Sequence, residues 1–245
     1  MIYVMSDIHG CYKEFKAMLK LIHFSDNDEM YIIGDVIDRG PEPISMLLDI
    51  ASRENMHLIL GNHEAMMRDA ILKGYTSLWY RNGGGITHEQ FNKLSEEERV
   101  ALLDYLTELP LYKTISVNSK NYYLAHSTFK KEEEDYESEE DDVIWSREYN
   151  DYKYIRKMYP KTYEKYKDYT LVAGHTPTPK ILLKEFYNVI LEDKQYKTHI
   201  YIGKHYINID CGMANNNNEE MQVRLGCLRL DDMKEFYIKK KKLNI

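Results

Sequence analysis

Three short polar clusters, each placed directly after an apolar run, constrain this chain more than any other feature. They read S-D-I-H-G (Ser6 to Gly10), G-D-V-I-D-R-G (Gly34 to Gly40) and G-N-H-E (Gly61 to Glu64). Asp7 and Asp35 stand 28 residues apart, and Asp35 and Asn62 stand 27 apart, each close to the roughly thirty residues of one strand-helix-strand unit. The runs Ile2 to Met5, Met30 to Ile33 and His57 to Leu60 read as short buried strands, while Phe15, Met18, Leu19 and Ile22, then Ile44, Leu47 and Leu48, recur at helical spacing. A βαβαβ order builds a parallel sheet covered by helices. The clusters therefore fall at the carboxyl ends of neighbouring strands, the edge where open α/β sheets bind ligands.

The remaining chain is organised around that unit. Glu64 to Leu109 reads as helical, broken at Gly83-Gly84-Gly85, with Ser95 and Glu98 spaced as a capping box; we take it as a helical insertion. Leu111 to Val117 and Tyr122 to Ala125 flank Asn118-Ser119-Lys120 as a hairpin. Lys130 to Asp142 is almost wholly charged, and the Tyr-rich stretch to Tyr169 continues it; a solvated loop is the ordinary meaning of such a run, and a lid the functional one. Leu171 to Ala173, Val189 to Leu191, His199 to Ile202, Tyr206 to Ile209, Val223 to Leu230 and Glu235 to Ile238 are strand candidates, so the C-terminal third reads as antiparallel β. At 245 residues a single α/β domain spanning 1–245 is expected.

Composition excludes several classes. Net charge is −7, from 33 Lys+Arg against 40 Asp+Glu, so a broad basic face for duplex nucleic acid is not expected. No run approaches the roughly 20 apolar residues that cross a bilayer, and the N-terminus lacks a signal-peptide pattern. Cys11, Cys211 and Cys227 are odd in number and widely spaced, which suits neither a disulfide framework nor a thiolate metal site. A cytoplasmic location is expected.

What the clusters bring together is oxygen and imidazole without thiolate: Asp7, His9, Asp35 and Asn62. Such donors suit Mn²⁺, Fe or Zn²⁺. Asp35, central in the order, could bridge two ions, and an ion pair at roughly 3.5–4 Å separation supports in-line displacement at phosphorus. His126 ends the run Y-Y-L-A-H and His175 ends L-V-A-G-H-T-P, each an imidazole at a strand terminus. Alone, each would be read as a core histidine; beside a site short of ligands, they read as its completion.

D-x-H-G, G-D-x-x-D-R-G and G-N-H-E in this order, followed by histidines in A-H and G-H-T-P contexts, resemble the calcineurin-like metallophosphoesterases. More narrowly they resemble the phosphoprotein phosphatase group and its bacterial and phage members, over Met1 to about Gly212. The resemblance implies a four-layer α/β-β/α sandwich of two mixed sheets flanked by helices. It implies two divalent metal ions, Mn²⁺ first and Fe or Zn²⁺ as alternatives, with Asp7, His9 and Asp35 at one and Asp35, Asn62, His126 and His175 at the other. His63 matches the proposed general acid, Asp38 the carboxylate that orients it, Arg39 a phosphate-binding arginine, and Arg147 in I-W-S-R a second one. The reaction implied is hydrolysis of a phosphate ester or anhydride by metal-activated hydroxide, with inversion and no phosphoenzyme.

One departure matters. Protein phosphatases of this group usually carry Arg before G-N-H-E, where this chain has Leu60. A serine/threonine phosphatase acting on phosphoprotein is the first reading. A dinucleoside polyphosphate (diadenosine tetraphosphate) hydrolase is the alternative, and a non-catalytic binding module a distant third. W-Y-R-N-G-G-G (Trp79 to Gly85) either lines a substrate pocket or marks a break between helices. Glu64 is read as loop support, and His23, His57, His88, His199 and His205 as structural or surface residues.

Overall fold

Strand alternation decides how the chain layers. The computed structural model describes residues 1–133, 140–147, 152–181, 196–215 and 221–240. In it β1 (Ile2–Met5), β2 (Glu29–Ile33) and β3 (Met56–Ile59) pair in parallel, as the βαβαβ reading predicts. A second sheet is laid on the first. It starts with the hairpin β4 (Tyr112–Val117) and β5 (Lys120–Ala125) and continues through β6 (Tyr169–Ala173), with the short β7 (Tyr196–Lys197) lying outside it. β9 (Tyr206–Asn208) and β8 (Tyr201–Ile202) complete it in the order β4-β5-β6-β9-β8. β10 (Met221–Gln222) pairs with β7, and the antiparallel β11 (Arg224–Arg229) and β12 (Lys234–Lys239) extend the first sheet beyond β1.

Successive side chains of a strand point to opposite faces. Val4, Ile33 and Ile59 of the first sheet therefore meet Tyr122, Leu124, Val172 and Ile207 of the second in one inter-sheet core. Their neighbours Met5, Ile32 and Leu58 face outward onto α1 (Tyr12–Leu21) and α2 (Pro43–Ala51). α3 (Asn62–Lys73), α4 (Thr76–Arg81), α5 (Gly85–Phe91) and α6 (Glu96–Glu108) add Met67, Trp79, Phe91, Leu102 and Leu106 to that layer. On the far side, Tyr123, Leu171 and Tyr206 pack under α7 (Glu140–Trp145), α8 (Tyr152–Met158) and α9 (Pro160–Tyr166), which supply Val143, Ile144, Ile155 and Tyr166. Helices, sheet, sheet and helices make the four layers. Both faces of the central strands are covered, which is why they read as continuous apolar runs.

Three expectations are corrected. The C-terminal strands are mixed, not antiparallel: β6 lies parallel to both β5 and β9, because the long connection carrying α7 to α9 is a crossover, which parallel pairing requires. The hairpin turn is two residues, Asn118 and Ser119, both at positive φ, the geometry that matches strand twist. Much of the described part of the charged excursion is helical, α7 to α9, with buried apolar residues rather than solvated loop, while 130–133 is irregular. The strand expected at Val189 to Leu191 lies outside the described residues. Among the described residues no helix is long and apolar enough to cross a membrane.

Candidate functional site

The first two clusters leave their strands through left-handed backbone, while the third passes straight into α3 from an extended Gly61. Asp7, His9, Asp35, Asp38, Arg39 and, from the second sheet, His175 all have φ between 48° and 68°, a region that costs non-glycine residues energy and persists only where the surroundings hold it. Glu64 is one such restraint: fully buried, it accepts the N–H groups of Asp35 at 2.8 Å, Val36 at 2.9 Å and Gly61 at 3.1 Å. It thereby ties the second cluster to the third, as loop support rather than a ligand. The loops also need close approach. A Cβ on Gly34 would come within 2.5 Å of Gly61, and one on Gly61 within 2.5 Å of Asp35.

All the expected site residues converge on one cavity of about 290 Å³, save Asp38 and His126, which sit just behind its wall. His126 directs Nδ1–H to the Ile33 carbonyl at 2.9 Å, leaving Nε2 at 2.9 Å from Asn62 Oδ1 and 3.4 Å from Asp35 Oδ1. His175 directs Nε2–H to the Trp145 carbonyl at 3.2 Å, leaving Nδ1 also at 2.9 Å from Asn62 Oδ1. His9 gives Nδ1–H to the Ile37 carbonyl at 3.0 Å, aiming Nε2 toward Asp35 Oδ2 at 3.6 Å. A carbonyl can only accept, so each bond fixes a ring and turns its other nitrogen to the same place.

Electron-pair donors thus face one another with few hydrogens between them. Asp35, His126 and His175 form one group able to hold a metal ion, and His9, Asp35 and His63 form another, with Asp35 common to both. Asp7 lines the same cavity, and its carboxylate accepts the His175 N–H at 3.0 Å. Asp7, Asp35 and Asp210 are each only 3% exposed, and buried carboxylates so close demand positive charge. Burial raises Asp7 to about 6; it also raises Asp210 well above the carboxylate range, with Asp7 adding to the effect. Burial opposes charge on His126, yet the carboxylates of Asp35 and Asp7, with no cation between them, raise it to about 10, a proton that a metal ion at Nε2 would replace. Burial, reinforced by charged His126, depresses His175 to about 3. The residues present fit two divalent cations that share Asp35.

His63 belongs to the second of these groups by distance, but both its nitrogens are already engaged. Its Nδ1 is 2.5 Å from Asp38 Oδ2, and its Nε2 receives Arg39 Nη2–H at 2.8 Å. The other arm of the Arg39 fork, Nη1, reaches His9 Nε2 at 3.0 Å. Arg147 also lines the cavity, donating to the His175 carbonyl at 3.2 Å and to Thr176 Oγ1 at 3.3 Å. Leu60 contributes nothing here: it is 1% exposed and packs with Ala65, Tyr123 and Phe129.

Sequence reasoning missed Asp210 and Lys180, both of which line the cavity. Asp210 had a signal, since it follows the run Y-I-N-I much as Asp7 follows I-Y-V-M-S. Trp79 offers no stacking face, because it is fully buried and its indole N–H is spent on Asp38.

Paired sheets with a cation-demanding donor set at their strand ends define a metal-dependent phosphoester-cleaving class of fold. Residues 1–203 match the family described as calcineurin-like phosphoesterase, and the chain belongs to that family; it is a hydrolase acting on phosphate esters. It is 33% identical over 150 residues to serine/threonine-protein phosphatase 2 of Salmonella typhimurium, covering 60% of this chain and 68% of that protein. A 64-residue stretch is 50% identical to the symmetrical bis(5'-nucleosyl)-tetraphosphatase of Wigglesworthia glossinidia brevipalpis, spanning 25% of this chain and 24% of that one. Among solved structures, a protein serine/threonine phosphatase from Saccharomyces cerevisiae superposes with a TM-score of 0.57 at 14% identity, covering 100% of this chain and 80% of that one. A metallophosphoesterase from Sphaerobacter thermophilus gives 0.55 at 16%, covering 98% and 88%. These two likenesses are of fold.

Proposed function

We propose that this chain removes phosphate from phosphoserine and phosphothreonine side chains. The observation that carries the reading is the pair of arginines, Arg39 on His9 and His63 and Arg147 on His175 and Thr176, brought from different loops to line one cavity beside the shared-aspartate donor set. A planar guanidinium fork suits a phosphoryl group bidentately. The length over which the chain resembles serine/threonine phosphatases adds support.

In this reading Asp7, His9 and Asp35 hold one divalent ion, Mn²⁺ being the first candidate, and Asp35, Asn62, His126 and His175 hold the second. Two such ions supply Lewis acidity toward phosphoryl oxygens and ease deprotonation of the attacking water. Arg39 and Arg147 bind the remaining oxygens. As it stands, the Arg39 fork covers the Nε2 atoms of His9 and His63, so an incoming phosphoryl group draws it away and uncovers His63. Freed of Arg39, His63 Nε2 takes up a proton from solvent and, with Asp38 holding Nδ1–H, passes it to the leaving alkoxide.

Hydrolysis of a dinucleoside polyphosphate is the second reading, favoured by Trp145 and Lys180 on the cavity wall, a ring face and a further cation. The test is kcat/KM for a phosphothreonine peptide and for diadenosine tetraphosphate on one Mn²⁺-loaded preparation, with Asp35→Asn as control. Preference for the peptide is expected. Preference for the dinucleotide overturns the first reading in favour of the second, and turnover of neither above the control overturns both.

A further inference from the structure

The segment between α3 and α6 contributes no donor to the metal-binding groups, yet two of its side chains end on Asp38. Asp38, Trp79 and Thr87 are fully buried, and His63 is 1% exposed. Trp79 Nε1–H points between the two carboxylate oxygens, at 3.0 Å from Oδ1 and 2.9 Å from Oδ2. Thr87 Oγ1 donates to Oδ1 at 2.6 Å and accepts the Asp38 backbone N–H at 3.0 Å, so one hydroxyl grips both the main chain and the side chain of the same residue. With Oδ1 taken, Oδ2 is turned to His63 Nδ1 at 2.5 Å.

The backbone of the segment is shaped for this. A Cβ on Gly84 would lie 2.3 Å from Trp79 Nε1, so only glycine lets the turn close over the indole. The same turn steadies the neighbouring arginine, because the Gly83 carbonyl accepts Arg39 N–H at 3.3 Å and the Asn82 carbonyl accepts Arg39 Nε–H at 3.2 Å. A carboxylate held only by His63 could rotate about its last bond and let the imidazole tilt; three converging donors leave one orientation.

We propose that Thr87 and Trp79 are positioning residues for the Asp38–His63 pair, setting the direction in which His63 presents its Nε2 proton to the leaving oxygen. The inference rests on the general-acid reading of His63. A general acid matters most when the leaving group is poor, so displacing it slows a poor leaving group more than a good one. Loss of packing alone slows both alike.

The experiment measures kcat and KM for phenyl phosphate and p-nitrophenyl phosphate with the Mn²⁺-loaded wild type, Thr87→Val, Thr87→Ser, Trp79→Phe and His63→Asn, with circular dichroism checking the fold. Thr87→Val keeps the shape and removes the hydroxyl; it should lower the phenyl-to-nitrophenyl kcat ratio about tenfold, a part of the roughly 10²–10⁴ that a positioned general acid supplies, with KM nearly unchanged. Trp79→Phe should lower the ratio in the same direction, and Thr87→Ser should restore it. His63→Asn should lower it further, and adding Thr87→Val to His63→Asn should change it no more, since the two act through one group. A ratio unchanged in Thr87→Val and Trp79→Phe, against one that falls in His63→Asn, overturns the positioning role alone. A ratio unchanged in His63→Asn overturns the general-acid reading and the inference with it. Should Thr87→Val not fold, Trp79→Phe against His63→Asn decides.

Discussion

Leu60 stands where the resembling phosphatases carry arginine, and the structure says what a reversion would do. Its side chain points into the layer between the second sheet and its helices, away from the cavity. Leu60→Arg would bury a charge among Ala65, Tyr123 and Phe129, at a cost of several kcal/mol. We expect a lower melting temperature and no gain in phosphate affinity; a variant that melts like the wild type and binds phosphate more tightly would refute this placement. Asp49 makes a different prediction. Burial pushes its carboxyl up, but hydrogen bonds from Arg53 at 2.9 Å, Lys16 at 3.1 Å and Tyr12 at 3.0 Å outweigh it and hold the group below the ordinary carboxylate value. A depressed folded-state pKa contributes stability above the unfolded value of about 3.9, and that contribution is lost as pH falls through the folded value. Asp49→Asn should therefore destabilise at pH 7 and make little difference near pH 2, as urea melts at the two pH values would show.

The helices divide by what their first turns do. α6 is capped for its own sake: Ser95 Oγ accepts Glu98 N–H at 3.2 Å, and Glu98 accepts Ser95 N–H at 2.8 Å. Ser95→Ala should cost about 1 kcal/mol and leave kcat untouched; a loss of turnover would mean that α6 bears on the site. α3 instead spends its third-position Glu64 on the loops of two clusters. Both helices carry a Glu at their third position, but the sequence names the partner only for Glu98; for Glu64 it gives loop support without the partner, because Asp35 is 29 residues away. The same limit explains the charged excursion. Its acidic and basic residues dominate composition, and the few apolar ones, Val143, Ile144 and Ile155, are buried only because the second sheet lies beneath them.

Taken as a whole, the molecule concentrates negative charge where its two sheets meet at their strand ends. Asp7, Asp35 and Asp210 face one cavity, and whatever positive charge enters there stabilises the folded chain, since the unfolded chain cannot gather these groups. Treatment with a chelator should lower the melting temperature and Mn²⁺ should restore it, by about 2.7 kcal/mol of apparent stability at a hundredfold excess over Kd for one site. A melting temperature indifferent to both would show that the donors do not act together. The amino-acid order by itself determined the three strand-and-cluster units, which depend on periodicity and spacing within sixty-odd residues, and the family, through the resemblance its motifs carry. Only the tertiary structure decided that Asp210 and Lys180 enter the cavity, that Leu60 leaves it, and that Trp79 and Thr87 hold Asp38. The Asp38 contacts join residues 41 and 49 positions apart and Asp210 meets Asp7 across 203; closing such separations is the work of helices packing on a sheet and of one sheet packing on the other, which no local pattern records.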